Sequence, residues 1–564
     1  MANISGKPNL FFVTSPRSPF KMREEIPVLV ENFKGKKWSG NSALQMEFYK
    51  KLAKSDFFTG SVKGDLAFKA RDRITRGPKS LGLVNLEPEI SLTTAGESYV
   101  YGKRPHEAFT RQLLKFQFPS PYHVDIKNNF FIRPYLELFR LTRELNGLSK
   151  DEIAAFVIQL INVNKYDYVK KKILNFRNEV KNLDRKHTSY SRYFDQIFIQ
   201  EIISTYAKQI KNGVYDIRES NEVTREKFLK TKKGNHKDYA DASIRYLRET
   251  RLVSIKNSHS NRIYIPDEKI AEVDFLLEKT PREPVFINDK KIFKAYLYDH
   301  SIPELFSDNK DLLISSMLSL SPTSNLAELT NLSIDTLKDK KDQLTQEKLS
   351  EYISSQISQI KSYSDFHEII GTFKDIVGKN VFDPSLIMEW NTWRAFVMLN
   401  DGEIIGNFRF DDTGFPLSNA PGNQADLECI YNEFDVIVEV TLSSGATQYN
   451  MEGEPVSRHL GLHKKTSRKE SFCIFIAPTI HEATLAHFYG LHKVPISYYG
   501  GISKIIPINL SDFVGMLNFA NDKPIKPTAS HIKKFVETAC DFASISENEH
   551  DWYGRIKSLS TSWV

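Results

Sequence analysis

Glu439 is a carboxylate set inside an apolar run, Phe434-Asp435-Val436-Ile437-Val438-Glu439-Val440-Thr441-Leu442. The run reads as a β-strand, whose side chains alternate between two faces. Phe434, Val436, Val438 and Val440 then face a core, and Asp435, Ile437, Glu439 and Thr441 face the other way. An ionised carboxylate is costly to bury in such a strand unless it is paired or metal-bound. A second acid, Asp426, opens the preceding strand-like run after the turn-forming Pro421-Gly422-Asn423, thirteen residues before Glu439. Adjacent antiparallel strands joined by a short turn bring acids at that spacing side by side. Two carboxylates meeting in this way suit Mg²⁺, a hard ion that takes oxygen ligands and keeps several waters. The carbonyl of Val440 offers a third oxygen. Such a site activates water and offsets charge on a phosphoryl group under in-line attack. The alternative for the same residues is a structural ion pair with a buried Lys or Arg.

The residues after the strand extend the site. Gly445 supplies a turn, and a helix follows in which Glu452 and His459 stand seven residues apart. That is close to two helical turns, so the two share a face, with Arg458 nearby. Glu, Arg and His beside a carboxylate pair suit a phosphodiester site. The alternative is an exposed helix with ordinary polar residues.

Several elements must position these side chains. Phe382-Asp383-Pro384 begins a helix, with Pro384 in its first turn, that runs to Leu399. The runs around Leu427, Phe434, Phe472 and Ile505 are strand-like and separated by helical or loop segments, which predicts a mixed α/β domain. The preceding stretch, from about Arg282 to Lys374, is amphipathic and helical, broken by Ser-Pro-Thr-Ser at 321–324, and reads as a connector without chemistry. Nearer the N-terminus, Leu81–Glu97 predicts a two-stranded hairpin closing onto a helix start. Tyr246–Pro266 predicts helix, strand, polar turn (Lys256 to Asn261) and strand, the pattern of a winged helix. Ser149, with Glu152 three residues on, predicts a capped helix of helix-turn-helix type. Arg71, Arg73, Arg76 and Lys79 precede the hairpin, and Lys227, Lys230, Lys232, Lys233 and Lys237 lie in the approach to the second unit. Such groups neutralise phosphates; the alternative is a solvated helix face. In Lys165–His187 the mixture of basic and acidic residues favours the solvated face.

Bulk properties agree with this reading. At roughly 100–200 residues per domain, about three or four domains are expected from 564 residues. A net charge of +7 permits a polyanionic partner without requiring one. The three cysteines form no CxxC pair, so a structural zinc site and a disulfide framework are not expected. The N-terminal residues lack the apolar run of a secretory leader, and no stretch is long enough to span a bilayer. A reducing cytoplasm is the expected compartment.

An acid on an early helix, an Asp before a strand and Glu-Val-Thr within the next strand resemble the PD-(D/E)xK nuclease core. More closely, the chain resembles the AlwI-type family of type IIS restriction and site-specific nicking endonucleases. The matching strings are Ser15-Pro16-Arg17-Ser18-Pro19, Arg71-Asp72-Arg73, Glu389-Trp390 with Trp393, and Gly422-Asn423-Gln424 with Asp426. They continue with Glu439-Val440-Thr441, Gly445-Ala446-Thr447-Gln448, and Met451-Glu452 through Pro455 to Arg458-His459. The resemblance implies a multidomain α+β chain. Residues 1–285 would be a winged-helix DNA-recognition region, 286–375 a helical linker and 376–564 the α/β nuclease domain. It implies Asp426, Glu439 and the Val440 carbonyl as Mg²⁺ ligands, with Glu389, Glu452 and His459 as further catalytic residues. Arg17, Arg71 and Arg73 are the expected DNA contacts. The chain would be a type IIS restriction endonuclease, or the strand-nicking large subunit of one, cutting double-stranded DNA at a fixed offset from a short asymmetric site. A second nuclease subunit or a transient homodimer would serve double-strand cleavage, and a cognate methyltransferase would accompany the enzyme. One departure matters: Thr441 stands where the wider superfamily has its lysine. A substrate phosphate, a second metal, or Lys464 or Lys465 would have to compensate. The rival readings are a non-catalytic DNA-binding regulator with a degenerate nuclease fold and a repair nuclease without sequence specificity.

Overall fold

The alternation of apolar runs and turn residues after Gly378 produces a five-stranded mixed sheet in the computed structural model, which describes residues 2–55, 57–58, 62–183, 189–217, 223–256, 262–399 and 402–563. Helix α1 (Pro384–Leu399) leads into β1 (Glu403–Gly406). Then come β2 (Leu427–Ile430), β3 (Phe434–Val440), helix α2 (Ala446–Thr466), β4 (Glu470–Ala477), helix α3 (Glu482–Lys493) and β5 (Ile505–Asn509). The strand order is β5-β4-β3-β2-β1. β2 runs antiparallel to both β1 and β3, whereas β3, β4 and β5 are mutually parallel. The expected helix and all four expected strands are present; β1 is an edge strand that the sequence pattern did not reveal.

The prediction of one core face for β3 needs correction. Phe434, Val436 and Val438 are buried, but so are Asp435, Ile437, Glu439 and Thr441. β3 sits between an antiparallel and a parallel neighbour, and both its faces are covered, as is usual for strands with parallel partners. The polar residues on the second face are therefore interior groups that need partners.

In the N-terminal part, Val84–Asn85 pairs antiparallel with Ser91–Leu92, and Thr93 caps the helix Thr94–Val100 through its side chain. Gly96 lies in that helix because a Cβ there would meet the Leu83 carbonyl oxygen at 1.9 Å. The helix Arg225–Glu249 runs toward Ser254–Ile255, which pairs with Arg262–Tyr264. Leu148–Ser149 adds a third strand, immediately before the helix Lys150–Ala155 with its Ser149–Glu152 capping box. Residues 257–261 of the expected polar turn, and 184–187 of the mixed-charge segment, lie outside the described residues.

The chain divides into two compact units, one comprising the described residues up to Leu344 and the other running from Thr345 to the C-terminus. The break falls inside the helix Ile334–Lys361. Residues 286–344 accordingly belong to the first unit. Phe293 and Leu297 pack with Tyr122, and Arg104 bonds Asp342 at 2.9 Å. Among the described residues no helix is long and apolar enough to cross a membrane.

The first unit carries a pH-sensitive core. Burial pushes His123 down to about 3 and His236 down to about 4. Both imidazoles are neutral when folded and take up protons on unfolding, so their contribution is complete above pH 6.5 and lost as pH falls toward 4. Glu25, raised to about 6 chiefly by burial, works in the opposite direction: its cost develops as pH rises from 4.5 to 6. Each histidine contributes ~2 kcal/mol between pH 6.5 and 5, and Glu25 offsets about one of them. Urea unfolding is expected to show ~2 kcal/mol less stability at pH 5 than at pH 6.5; an unchanged midpoint would mean that these imidazoles are solvated.

Candidate active site

Asp426 and Glu439 meet because of strand register. Leu427 pairs with Val438 across β2 and β3, and the next step along the same register sets Asp426 opposite Glu439. Asp426 is fixed there by its Oδ2, which accepts the Val440 N–H at 2.7 Å. Gly445, at φ +61°, turns the chain from β3 into α2. On α2, the expected shared face is present. His459 Nδ1 lies 2.7 Å from Glu439 Oε1, and Glu452 Oε1 accepts the Thr441 hydroxyl at 2.6 Å. Glu389, from α1, accepts hydrogen bonds from the Asn419 amide and, at 3.1 Å, from the Ala420 N–H.

These acids repel one another. Asp426 is held well above the usual carboxylate range, first by burial and then by the charges of Glu439 and Glu452. Burial and then Glu452 and Glu389 do the same to Glu439, and burial and then Asp426 to Glu389. Glu452 is raised mainly by burial. Arg458 lowers Glu439 only as a lesser influence and is itself bonded to Glu454. The ion-pair alternative for Asp426 and Glu439 therefore finds no buried Lys or Arg bonded to either acid among the described residues. Burial pushes His459 down to about 4, so its imidazole is neutral at physiological pH.

The donor set suits a hard divalent cation. Its atoms are oxygens, its acids gain from a positive charge, and they lie at one end of adjoining strands. Among the described residues no three His, Cys, Asp or Glu side chains form a metal cage by themselves. A cation here would take two carboxylates, a main-chain oxygen and water, the coordination expected for Mg²⁺.

Thr441 has a definite place. Its hydroxyl donates to Glu452 and accepts the Ser443 N–H at 3.0 Å, so it anchors an acid and supplies no charge. Lys464 donates to the Ile502 carbonyl and Lys465 is exposed, so neither is bonded to the acids. Of the expected DNA contacts, Arg17 is largely exposed and bonds Asp241 at 3.1 Å. Arg71 bonds Gln45 at 2.7 Å, and Arg73 is committed to the buried Glu25. All three belong to the first unit, whereas the acids belong to the second.

Sequence reasoning missed Asn419, which holds Glu389, and the network around Asp435. Asp435 accepts from Ser467 Oγ at 2.6 Å and Lys469 Nζ at 3.3 Å, and lies 3.2 Å from His463 Nε2. His463 follows His459 by one helical turn, which was the available signal. Asp435→Ala should lower the unfolding free energy by about 3 kcal/mol by stranding these donors. Denaturant unfolding checks this; a loss below ~1 kcal/mol would show that the network is dispensable.

The family model described as AlwI restriction endonuclease matches residues 79–516. The match begins after Arg17, Arg71 and Arg73 and takes in Glu389, Asp426, Glu439, Glu452 and His459. No curated protein matches the chain. Among solved structures, the small subunit of the heterodimeric restriction endonuclease R.BspD6I is similar at 22% identity and TM-score 0.30, over 34% of this chain and 98% of that one. The BpuJ1 endonuclease binding domain, solved with pyrene- and phenanthrene-modified DNA, is similar at 14% identity and TM-score 0.32, over 52% of this chain and 96% of that one. With one family model spanning both the N-terminal hairpin and the acid cluster, the chain belongs to the AlwI restriction endonuclease family.

Proposed function

We propose that the protein is a type IIS site-specific DNA endonuclease of PD-(D/E)xK type, hydrolysing phosphodiester bonds with Mg²⁺ at a fixed offset from a short asymmetric sequence. The observation that carries this reading is the meeting of Asp426, Glu439, Glu452 and His459, from β2, β3 and α2, around acids that lack a bonded Lys or Arg among the described residues. Asp426, Glu439 and the Val440 carbonyl would hold Mg²⁺. When bound, the ion supplies positive charge against the phosphoryl oxygens. Glu439 orients His459: with Glu439 ionised, the shared proton stays on Nδ1 and Nε2 is left to accept the proton of the attacking water. Thr441 orients Glu452, and Asn419 orients Glu389. His459 thus fills the role left open by the missing lysine.

The helix–strand–strand unit ending at Tyr264, and the hairpin at Val84–Leu92, are read as winged-helix DNA-recognition elements in the first unit. One such acid cluster cuts one strand. Cleavage of the second strand then calls for a second nuclease subunit or a transient homodimer, and a cognate methyltransferase protects host DNA.

The test is to map cut positions on both strands of a sequenced plasmid, with Mg²⁺ and with EDTA. Discrete ends at one distance from a common sequence, only with Mg²⁺, are expected. Scattered ends would indicate a nuclease without sequence specificity, and binding without scission a regulator.

A further inference from the structure

The first unit contains a cavity of about 480 Å³. Lys7, Arg76 and Lys79 line it, and among the described residues no carboxylate does. Its other walls are largely aromatic, including Phe11, Tyr122 and Tyr239. Lys7 Nζ stands 4.7 Å from the Phe11 ring centre, and Lys79 Nζ 5.2 Å from that of Tyr122. Arg76 and Lys79 each have one acidic partner outside the cavity lining, Asp72 and Glu87. Lys7 has no carboxylate within ion-pair distance among the described residues, and burial together with the Arg76 charge depresses its ammonium. The Thr75 hydroxyl is buried without a hydrogen-bond partner, and Thr75 lines the same cavity.

Cations crowded beside rings, with an unused hydroxyl, match a ligand that is flat, aromatic and anionic. A nucleotide has that chemistry, and the cavity is within the volume range of sites for such ligands. Inorganic phosphate would leave the rings unused, and an apolar molecule would leave the charges unused. A second cavity, of about 760 Å³, shares Thr14, Arg76 and Tyr239 with the first and adds Arg17 and Lys232. Asp241 on its wall is already bonded by Lys150 and Arg245 as well as Arg17. Asp216 and Asp238 line it as well, so among the described residues the basic lining without carboxylates is confined to the first cavity.

We propose that the 480 Å³ cavity receives one nucleotide of bound DNA turned out of the base stack, its base against Phe11, Tyr122 and Tyr239 and its phosphate near Lys7, Arg76 and Lys79. This rests on the reading of the protein as a DNA endonuclease. It assigns the first unit a second mode of reading DNA, through a base removed from the duplex as well as through groove contacts.

The experiment uses the full-length protein and duplexes spanning its mapped site, with Ca²⁺ in place of Mg²⁺ to hold back cleavage. Each base in turn is replaced by a fluorescent analogue: 2-aminopurine for adenine, 6-methylisoxanthopterin for guanine, pyrrolocytosine for cytosine. Permanganate oxidation reports unstacked thymine. One position should brighten, or become reactive, by roughly threefold or more on binding. Lys7→Ala and Arg76→Ala should each diminish that signal on duplex that remains bound. Binding with no responsive position overturns this proposal alone. A responsive position indifferent to both substitutions also overturns it, since the base would then be held elsewhere. Failure to bind any duplex removes the endonuclease reading and this proposal together.

Discussion

Asp426→Asn is expected to reduce cleavage by roughly 10³-fold or more while making the protein more stable in EDTA. Asparagine can still accept the Val440 N–H, so local geometry is retained. It removes one charge from an interior already crowded by Glu439 and Glu452. The sign of the pH dependence follows from the raised carboxyl. Below the ordinary range near pH 4, the acid is protonated in both folded and unfolded chains and costs nothing. As pH rises, the unfolded chain loses the proton first, and the wild type bears a growing cost. The gain of the variant should therefore be near zero at pH 4 and largest at pH 8, where about 1 kcal/mol corresponds to a melting temperature about 2–4 °C higher. Mg²⁺ should raise the wild-type melting temperature and act less on the variant. Equal melting temperatures for both proteins at pH 8, with equal responses to Mg²⁺, would remove Asp426 from the metal site.

His459 is expected to give the other large effect. His459→Ala should cost roughly 10²- to 10⁴-fold in the rate of cleavage, with DNA binding retained. His459→Asn separates the two tasks of the imidazole. Its amide can donate to Glu439 as a protonated Nδ1 would, but it offers no basic nitrogen in place of Nε2. Single-turnover cleavage by the Asn variant should be as slow as by the Ala variant. Recovery of most of the rate by Asn would mean that His459 only positions Glu439.

The acid pair was legible in the sequence because it depends on local physics. Period-two alternation and one antiparallel turn between β2 and β3 bring Asp426 to Glu439, and both can be counted from residue types. The Glu452–His459 face was legible from helical period for the same reason. Telling a half-buried histidine bonded to Glu439 from an ordinary surface histidine required the packing of α2 on β3, which no local pattern encodes. The second covered face of β3 was hidden likewise, because it depends on helices α1 and α2 packing against the sheet, which is a tertiary fact. Among the basic residues, composition identified Arg73 as a cation but not its partner: Glu25 lies 48 residues away in the chain. Thr441 looked like a loss because the expectation was a charge at that position; its hydrogen bond to Glu452 is a tertiary fact.

The Val440 N–H that fixes Asp426 belongs to the main chain. One member of the site therefore has no side chain to delete, and alanine scanning would score position 440 as silent. Most residues there present the same donor and the same carbonyl, so the position can drift in sequence without loss of the chemistry. Proline removes the donor. So does an ester in place of the Glu439–Val440 amide, which leaves every side chain in place. That single-atom exchange of NH for O would free the Asp426 carboxylate while leaving the genetic description of the site unchanged.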